Sequence, residues 1–164
     1  KHPGSISDSP QIFANAKRLA EEGVYMDVGH GAASYNFKVA KEAIENGLKP
    51  FSISTDLHGW NLNGPVYDLA TTVSKLFAAG LTLEECVNAI TCNPRNFLAL
   101  ENAATLAVGS KADFTIFDVS DCDERVSDSQ GNSMTMKLAF EPRMVISGAK
   151  TFLAERTKTP QNNS

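Results

Sequence analysis

Apolar residues recur at helical spacing early in the chain and then give way to short, nearly unbroken apolar runs. Ile12, Phe13, Ala16, Leu19 and Ala20 mark one face of a helix that Ser9-Pro10 starts and Gly23 stops. VYMDV, residues 24–28, then reads as a strand covered on both faces, because it is short, mostly apolar and rich in strand-forming residues. Phe37, Ala40 and Ile44 predict a second helix ending at Asn46-Gly47, and FSIS, residues 51–54, predicts a second buried strand. Helix, strand, helix, strand in that order predicts parallel pairing and an α/β class.

Farther on, Leu69, Val73, Leu76 and Phe77 predict a third helix closing at Gly80. Thr82 and Glu85 form a capping box for a fourth, carrying Leu83, Val87 and Ile90, which Asn93-Pro94 is expected to interrupt. From about Leu106 the texture changes to ADFTIFDV, SMTMKLAF and RMVISGAKTFL, separated by polar turns such as SDSQGNS, which predicts an all-β segment. The closing residues, ERTKTPQNNS, are polar and read as a disordered tail.

With 164 residues, 42% of them hydrophobic, and a net charge of −4, the chain has an ordinary globular composition with room for one domain or part of a larger one. It lacks the basic patch that phosphate binding needs, and no apolar stretch approaches the roughly 18 residues of a spanning helix. The expected partner is therefore a small molecule rather than nucleic acid or a membrane. Cys86, Cys92 and Cys122 are odd in number and fall in no CxxC spacing, which suggests free thiols in a reducing compartment and a cytoplasmic location. KHPGSISDSP has neither an initiator methionine nor the layout of a signal peptide, so the chain is expected to begin inside a longer sequence.

Two strand ends carry the candidate chemistry. GHG, residues 29–31, follows the first apolar run, and STDLH, residues 54–58, ends the second. In parallel α/β folds functional side chains gather at the carboxyl ends of strands, the position of both His30 and Asp56. An imidazole and a carboxylate on one rim are good ligands for zinc or a similar divalent ion. The residues alone leave His30 open between a ligand and a hydrogen-bonded structural side chain. Asp56 is likewise open between a ligand and a turn cap. Asp27, inside an apolar run, is expected to satisfy a buried partner.

At these positions the sequence resembles a family. DVGHGAASYNFKVAKEAIENG, SISTDLH, NGPVYDLATTVSKLFAAGLTLEECVNAITCNPRNFLAL and VGSKADFTIFDV together look like the carboxyl-terminal half of a metal-dependent amidohydrolase, in the dihydroorotase-like branch of amidohydrolases and deacetylases. DVGHG and STDLH are fairly specific to that branch, whereas NP followed by VGxxADFxIFD recurs across the superfamily.

The resemblance implies a fold, namely the carboxyl-terminal part of a (β/α)8 TIM barrel over residues 1–100 and strands of a small β-sandwich over 101–154, ahead of a tail at 155–164. Asn102-Ala103-Ala104 replaces the usual glycine before the sandwich strand, and a local loop difference is expected there. In that family a histidine on the sixth strand binds a metal, and His30 matches it. An aspartate on the eighth strand binds the other metal and shuttles the proton, and Asp56 matches that. A seventh strand would then be vestigial, at Ser34 to Phe37.

The family's other ligands, a His-x-His pair, a carboxylated lysine or glutamate and a further histidine, are expected outside this chain. Lys1 and His2 are rejected as substitutes, although His2 stays a candidate lining residue. The implied cofactor is a divalent metal, zinc being expected, in one or two ions.

His58 is expected to face the same cleft as Asp56, because residues two apart in extended chain point the same way, and either to bind substrate or to be a plain loop residue. The turn-rich loop GWNLNGPVYD supplies Asn63, Gly64 and Tyr67 as further candidate substrate-binding residues. Trp60 is open between the pocket rim and packing of the loop. The implied function is cleavage of an amide or ester bond in a small acylated substrate by a metal-activated water, with Asp56 as proton shuttle. The alternatives are a cyclic amide hydrolase of the dihydroorotase type and a metal-free binding or assembly module. The expected partners are the small-molecule substrate and the missing half of the same barrel, with a homo-oligomer left open.

Overall fold

A parallel strand pair flanked by helices and one long antiparallel hairpin organise residues 6–100 and 106–158, which the computed structural model describes. Helix α1 (Pro10–Glu21) starts where expected, with the Ser9 hydroxyl accepting from the Ile12 N–H at 3.2 Å, but none of its residues is buried. Strand β1 (Asp27–Gly29) starts three residues later and ends one residue later than the apolar run predicts. Val24 and Tyr25 stay exposed and outside the ladder, and the Tyr25 ring packs instead on Phe51 (4.2 Å) and Phe97 (4.9 Å).

Helix α2 (Phe37–Glu45), capped by the Asn36 side chain, leads to β2 (Ser52–Ser54), which pairs parallel with β1. No strand intervenes. Residues 31–34 form turns and Phe37 opens α2, so the seventh strand expected at Ser34 to Phe37 does not form.

Helix α3 (Leu69–Ala78) begins at Asp68, whose carboxylate accepts from the Thr71 N–H at 2.6 Å. Helix α4 (Leu83–Ile90) carries the capping box, with Glu85 N–H donating to Thr82 at 3.2 Å and Thr82 N–H to Glu85 at 2.8 Å. The break falls at Thr91 (φ −129°, ψ −84°) rather than at Asn93-Pro94, which lies inside α5 (Cys92–Phe97). Proline in a first helical turn gives up no intrahelical bond.

The β segment is a three-stranded antiparallel sheet of β3 (Asp113–Ser127), β4 (Ser133–Ser147) and β5 (Lys150–Leu153) in that order. Two predicted breaks move. Residues 120–126 extend β3 through an irregularity between Asp121 and Glu124, and RMVISGAKTFL is divided between β4 and β5 by a turn at Gly148 (φ +61°).

Ile44, Ile53, Val73, Leu76, Leu81, Cys86 and Phe140 share one core with Tyr35, so the hairpin and the parallel pair are packed together. Phe140 stacks on Phe117 (5.1 Å), meets Phe77 edge-on (5.6 Å), and donates its N–H to the Ser74 hydroxyl at 2.9 Å. Arg156 and Thr157, within the stretch expected as a disordered tail from 155, are hydrogen-bonded to the fold. Arg156 is buried between Glu124 and Glu141, whose carboxylates hold its guanidinium well above its ordinary pKa against the opposing effect of burial. Lys1, His2, Asn102 to Ala104 and residues 159–164 lie outside the described residues.

Tyr25, Phe97, Leu98 and Leu100 are each more than half exposed. Such an apolar surface, beside a two-stranded sheet with open edges among the described residues, favours association. The 164-residue chain on its own is expected to self-associate in sedimentation velocity. A monodisperse monomer with a cooperative unfolding transition would count against it.

Candidate functional site

Side-chain alternation decides what stands on each side of the β1–β2 pair. Asp27 lies opposite Ser52 and Gly29 opposite Ser54, so these four share one face, while Val28 and Ile53 share the other. Ile53 is in the core with Val28 packed against it. The pairing continues past both strands, the His30 N–H donating to the Ser54 carbonyl (3.2 Å) and the Gly31 N–H to that of Thr55 (3.0 Å). Carried one step further, the alternation assigns His30 to the core side and Asp56 to the other. Asp27, Gly29, Ser54 and Asp56 line an open trough of about 1270 Å³, to which Val28, Tyr35, Ile44 and Leu76 also contribute. His30 is fully buried, its ring 4.7 Å from that of Tyr35.

Asp56 has a left-handed backbone (φ +48°), so the chain turns sharply where β2 ends. Gly31 (φ +52°) sits against it, and a Cβ added there would stand 2.6 Å from Asp56 Oδ2. The carboxylate thus rests on a backbone bare of side chain. Asp27, expected to satisfy a buried partner, is exposed and accepts from the Ser52 and Ser54 hydroxyls, each at 2.6 Å.

Behind the strands, α3 delivers the fully buried Lys75. Its Nζ lies 2.9 Å from His30 Nε2 and donates to the carbonyls of Pro65 and, at 2.8 Å, Ser127. These are three acceptors for the three N–H bonds of an ammonium. His30 Nδ1 lies 3.0 Å from the Gly31 carbonyl. With Nε2 accepting from Lys75, this assigns a neutral ring protonated at Nδ1.

Burial, and after it the Lys75 charge, pushes the His30 pKa down to about 4. Burial pushes Lys75 down to about 7 against the pull of Asp128 and Asp68. Burial alone would raise the Asp128 carboxyl, but hydrogen bonds from Asn132 and from the N–H groups of Phe37, Gln130 and Asn132 hold it below the usual carboxylate range. The hairpin tip closes over this group, with the Ser129 hydroxyl 3.0 and 2.8 Å from the carbonyls of His30 and Gly31.

The loop after Asp56 is organised by Asn61, which is fully buried. Its Nδ2 donates to the Asp56 carbonyl (2.9 Å) and its Oδ1 accepts from the His58 N–H (2.8 Å). Gly64 (φ +123°) precedes a cis bond to Pro65, and a Cβ on it would meet the Tyr67 hydroxyl at 2.8 Å.

A match to the amidohydrolase family covers residues 11–152. The chain belongs to that family. It is 47% identical over 156 residues to a deacetylase of Brucella anthropi, covering 95% of this chain and 39% of that one. Among solved structures it resembles one described as a dihydroorotase (TM-score 0.91, 47% identity, 95% of this chain and 43% of the other) and one described as an adenine deaminase (TM-score 0.80, 37% identity, 84% and 38%). The chain spans well under half the length of the relatives it matches.

Amidohydrolases generally use a divalent metal. Among the described residues there is no group of three or more His, Cys, Asp or Glu side chains that could hold one. The exposed Asp56 carboxylate fits as a single ligand. His30 does not fit as it stands, because both ring nitrogens are engaged and its side chain is on the core side. The described residues alone therefore do not compose a metal site.

Of the remaining candidates in this amidohydrolase chain, His58, Asn63, Gly64 and Tyr67 are not among the residues lining the trough. His58 is exposed, its Nδ1 accepting from the Trp60 N–H at 3.3 Å. Its expected alignment with Asp56 required extended chain, which the left-handed Asp56 interrupts. Trp60 is 92% exposed rather than packed on the loop. Two organising residues escaped the sequence reading. Lys75 left a signal, a lysine directly before the core residue Leu76, whereas nothing local distinguishes Asn61 from its loop neighbours. No described helix is long and apolar enough to cross a membrane.

Gly31→Ala is expected to cost about 1–2 kcal/mol from its left-handed backbone alone, with more from the collision at Asp56. Gly59→Ala, which meets open space, should cost less than about 0.5 kcal/mol. Paired denaturant titrations check the contrast, and equal effects would mean that Gly31 is neither left-handed nor pressed against Asp56.

Proposed function

We propose that this chain is the carboxyl-terminal part of a barrel hydrolase that cleaves an amide or ester bond of a small acylated molecule, with Asp56 as the proton-transfer group. The carrying observation is the Asp56 carboxylate at the carboxyl end of β2, on the side of the sheet that faces the open trough. Functional groups of parallel barrels occupy that position. The similarity to structures described as a dihydroorotase and an adenine deaminase, and to relatives described as deacetylases, supports a reaction in which water attacks a carbon bonded to nitrogen or oxygen.

Consecutive strands of a closed barrel are hydrogen-bonded neighbours, and β1 and β2 are paired directly. If Asp56 ends the eighth strand, His30 therefore ends the seventh and not the sixth. On this reading His30 is a structural residue beneath the rim rather than the metal ligand that the resemblance implies.

Asp56 accepts the proton of the attacking water and returns it to the leaving nitrogen or oxygen, which breaks the acyl bond and releases the carboxylate product. Gly31 leaves room for the carboxylate, and Asn61 fixes the backbone that bears it. A divalent metal, zinc being the natural choice, would supply activation of that water, with ligands from outside these residues joining Asp56. Acyclic acylated compounds are preferred as substrates over cyclic amides because the curated relatives are described as deacetylases.

Asp56→Asn in the complete protein keeps the shape and one oxygen but removes the proton acceptor. Turnover of acetylated amines, acetylated alcohols and cyclic amides should fall by about 10² to 10⁴-fold while bound metal, measured by elemental analysis, largely remains. Near-normal turnover with metal retained would show that Asp56 is not the proton-transfer group.

A further inference from the structure

Lys75 lies outside the trough, yet it is bonded to three segments that frame Asp56. From the front, the strand rim is set by His30, whose N–H and ring bind opposite neighbours. The N–H donates to Ser54 (3.2 Å), two residues before Asp56, and Nε2 accepts from Lys75 (2.9 Å). From behind, the loop that leaves Asp56 is anchored near its start by Asn61 and near its end by the Pro65 carbonyl, which accepts from Lys75. The third bond, to the Ser127 carbonyl at 2.8 Å, fastens the hairpin whose tip residue Ser129 touches the carbonyls of His30 and Gly31. Gly31 in turn abuts Asp56 Oδ2.

We propose that Lys75 is a positioning residue, its ammonium holding strand rim, Asp56 loop and hairpin tip in the one arrangement that aims the Asp56 carboxylate into the trough. The proposal rests on the reading of Asp56 as the proton-transfer group. It assigns Lys75 no contact with substrate. The function lies in the direction of its three bonds, each to a different segment, and not in the volume of its stem.

Methionine fills nearly the same volume without donating, so Lys75→Met separates the bonds from the packing. In the complete protein, kcat for 4-nitrophenyl acetate should fall about 10²-fold, the loss that a misplacement of about 1 Å produces, with KM within about threefold of wild type. Nitrogen-15 spectra of histidine-labelled protein, assigned with His30→Gln, should give wild-type His30 as a neutral ring protonated at Nδ1. In Lys75→Met the ring should lose that single tautomer, which packing alone would not change. Hydrogen exchange should quicken at the His58, Asn61 and Tyr67 amides, and Lys137→Met on the exposed hairpin surface should change none of these readings.

A kcat within about threefold of wild type, or an unchanged His30 tautomer, would overturn the proposal. If Lys75→Met fails to fold, the wild-type spectrum decides alone, and an Nε2-protonated or doubly protonated His30 would overturn it. Should Asp56→Asn keep its turnover, the reading of Asp56 falls. A kcat loss in Lys75→Met with slackened loop amides would then still support a clamp on the loop.

Discussion

A buried ammonium must have all three of its N–H bonds answered, and around Lys75 the answers come from three distant segments of chain. Leaving any one open in a site without solvent would cost roughly 1–3 kcal/mol or more, so the three acceptors are constrained together. That single requirement fixes the ring orientation of His30, the path of the backbone at Pro65 and the approach of the hairpin at Ser127. Thr71 to Leu76 are buried in an unbroken run longer than one helical turn, so this stretch of α3 is covered on every side. The Ser74 and Thr72 hydroxyls return bonds to the carbonyls of Ala70 and Asp68, so these buried polar groups are satisfied.

What was legible in the sequence was local. Helix spacing, the Ser9-Pro10 start, the Thr82 and Glu85 capping box and the second strand all depend on residues within a few positions of one another, and all are found, whereas the caps supplied by Asn36 and Asp68 emerge only in the structure. The first strand starts later than its apolar run because Val24 and Tyr25 satisfy a strand propensity yet stay outside the ladder, Tyr25 packing against Phe97. The long hairpin looks like shorter pieces in sequence because the irregular register at Asp121 to Glu124 falls on polar residues that resemble a turn.

The site divides along the same line. Asp56 stands out by its place at a strand end, a property of its own neighbourhood, and the structure leaves its side chain exposed there. His30 satisfies the same rule, but its ring is fully buried with both nitrogens engaged, so standing at the rim and being open to a ligand are different conditions. Which face of the sheet a side chain takes is set by parity relative to the partner strand, and that depends on the register Asp27 to Ser52, which no short window contains. The glycines flanking His30 have another use. Gly29 leaves its face of the sheet open beside Ser54, and Gly31 admits the Asp56 carboxylate.

The hairpin tip at residues 128–132 has a consequence in time as well as in space. Its bonds to Tyr35, Asn36 and Phe37 span 94, 94 and 91 positions of sequence, and those of Ser129 to His30 and Gly31 span 99 and 98. During synthesis the strand ends, the turn after them and α3 all emerge well before the segment that closes over them. Contacts of such separation form late and slowly. Until the ribosome has delivered the hairpin, Lys75 lacks its Ser127 acceptor and the nascent rim must be held in a looser arrangement, a stage at which chaperone binding would have most to protect.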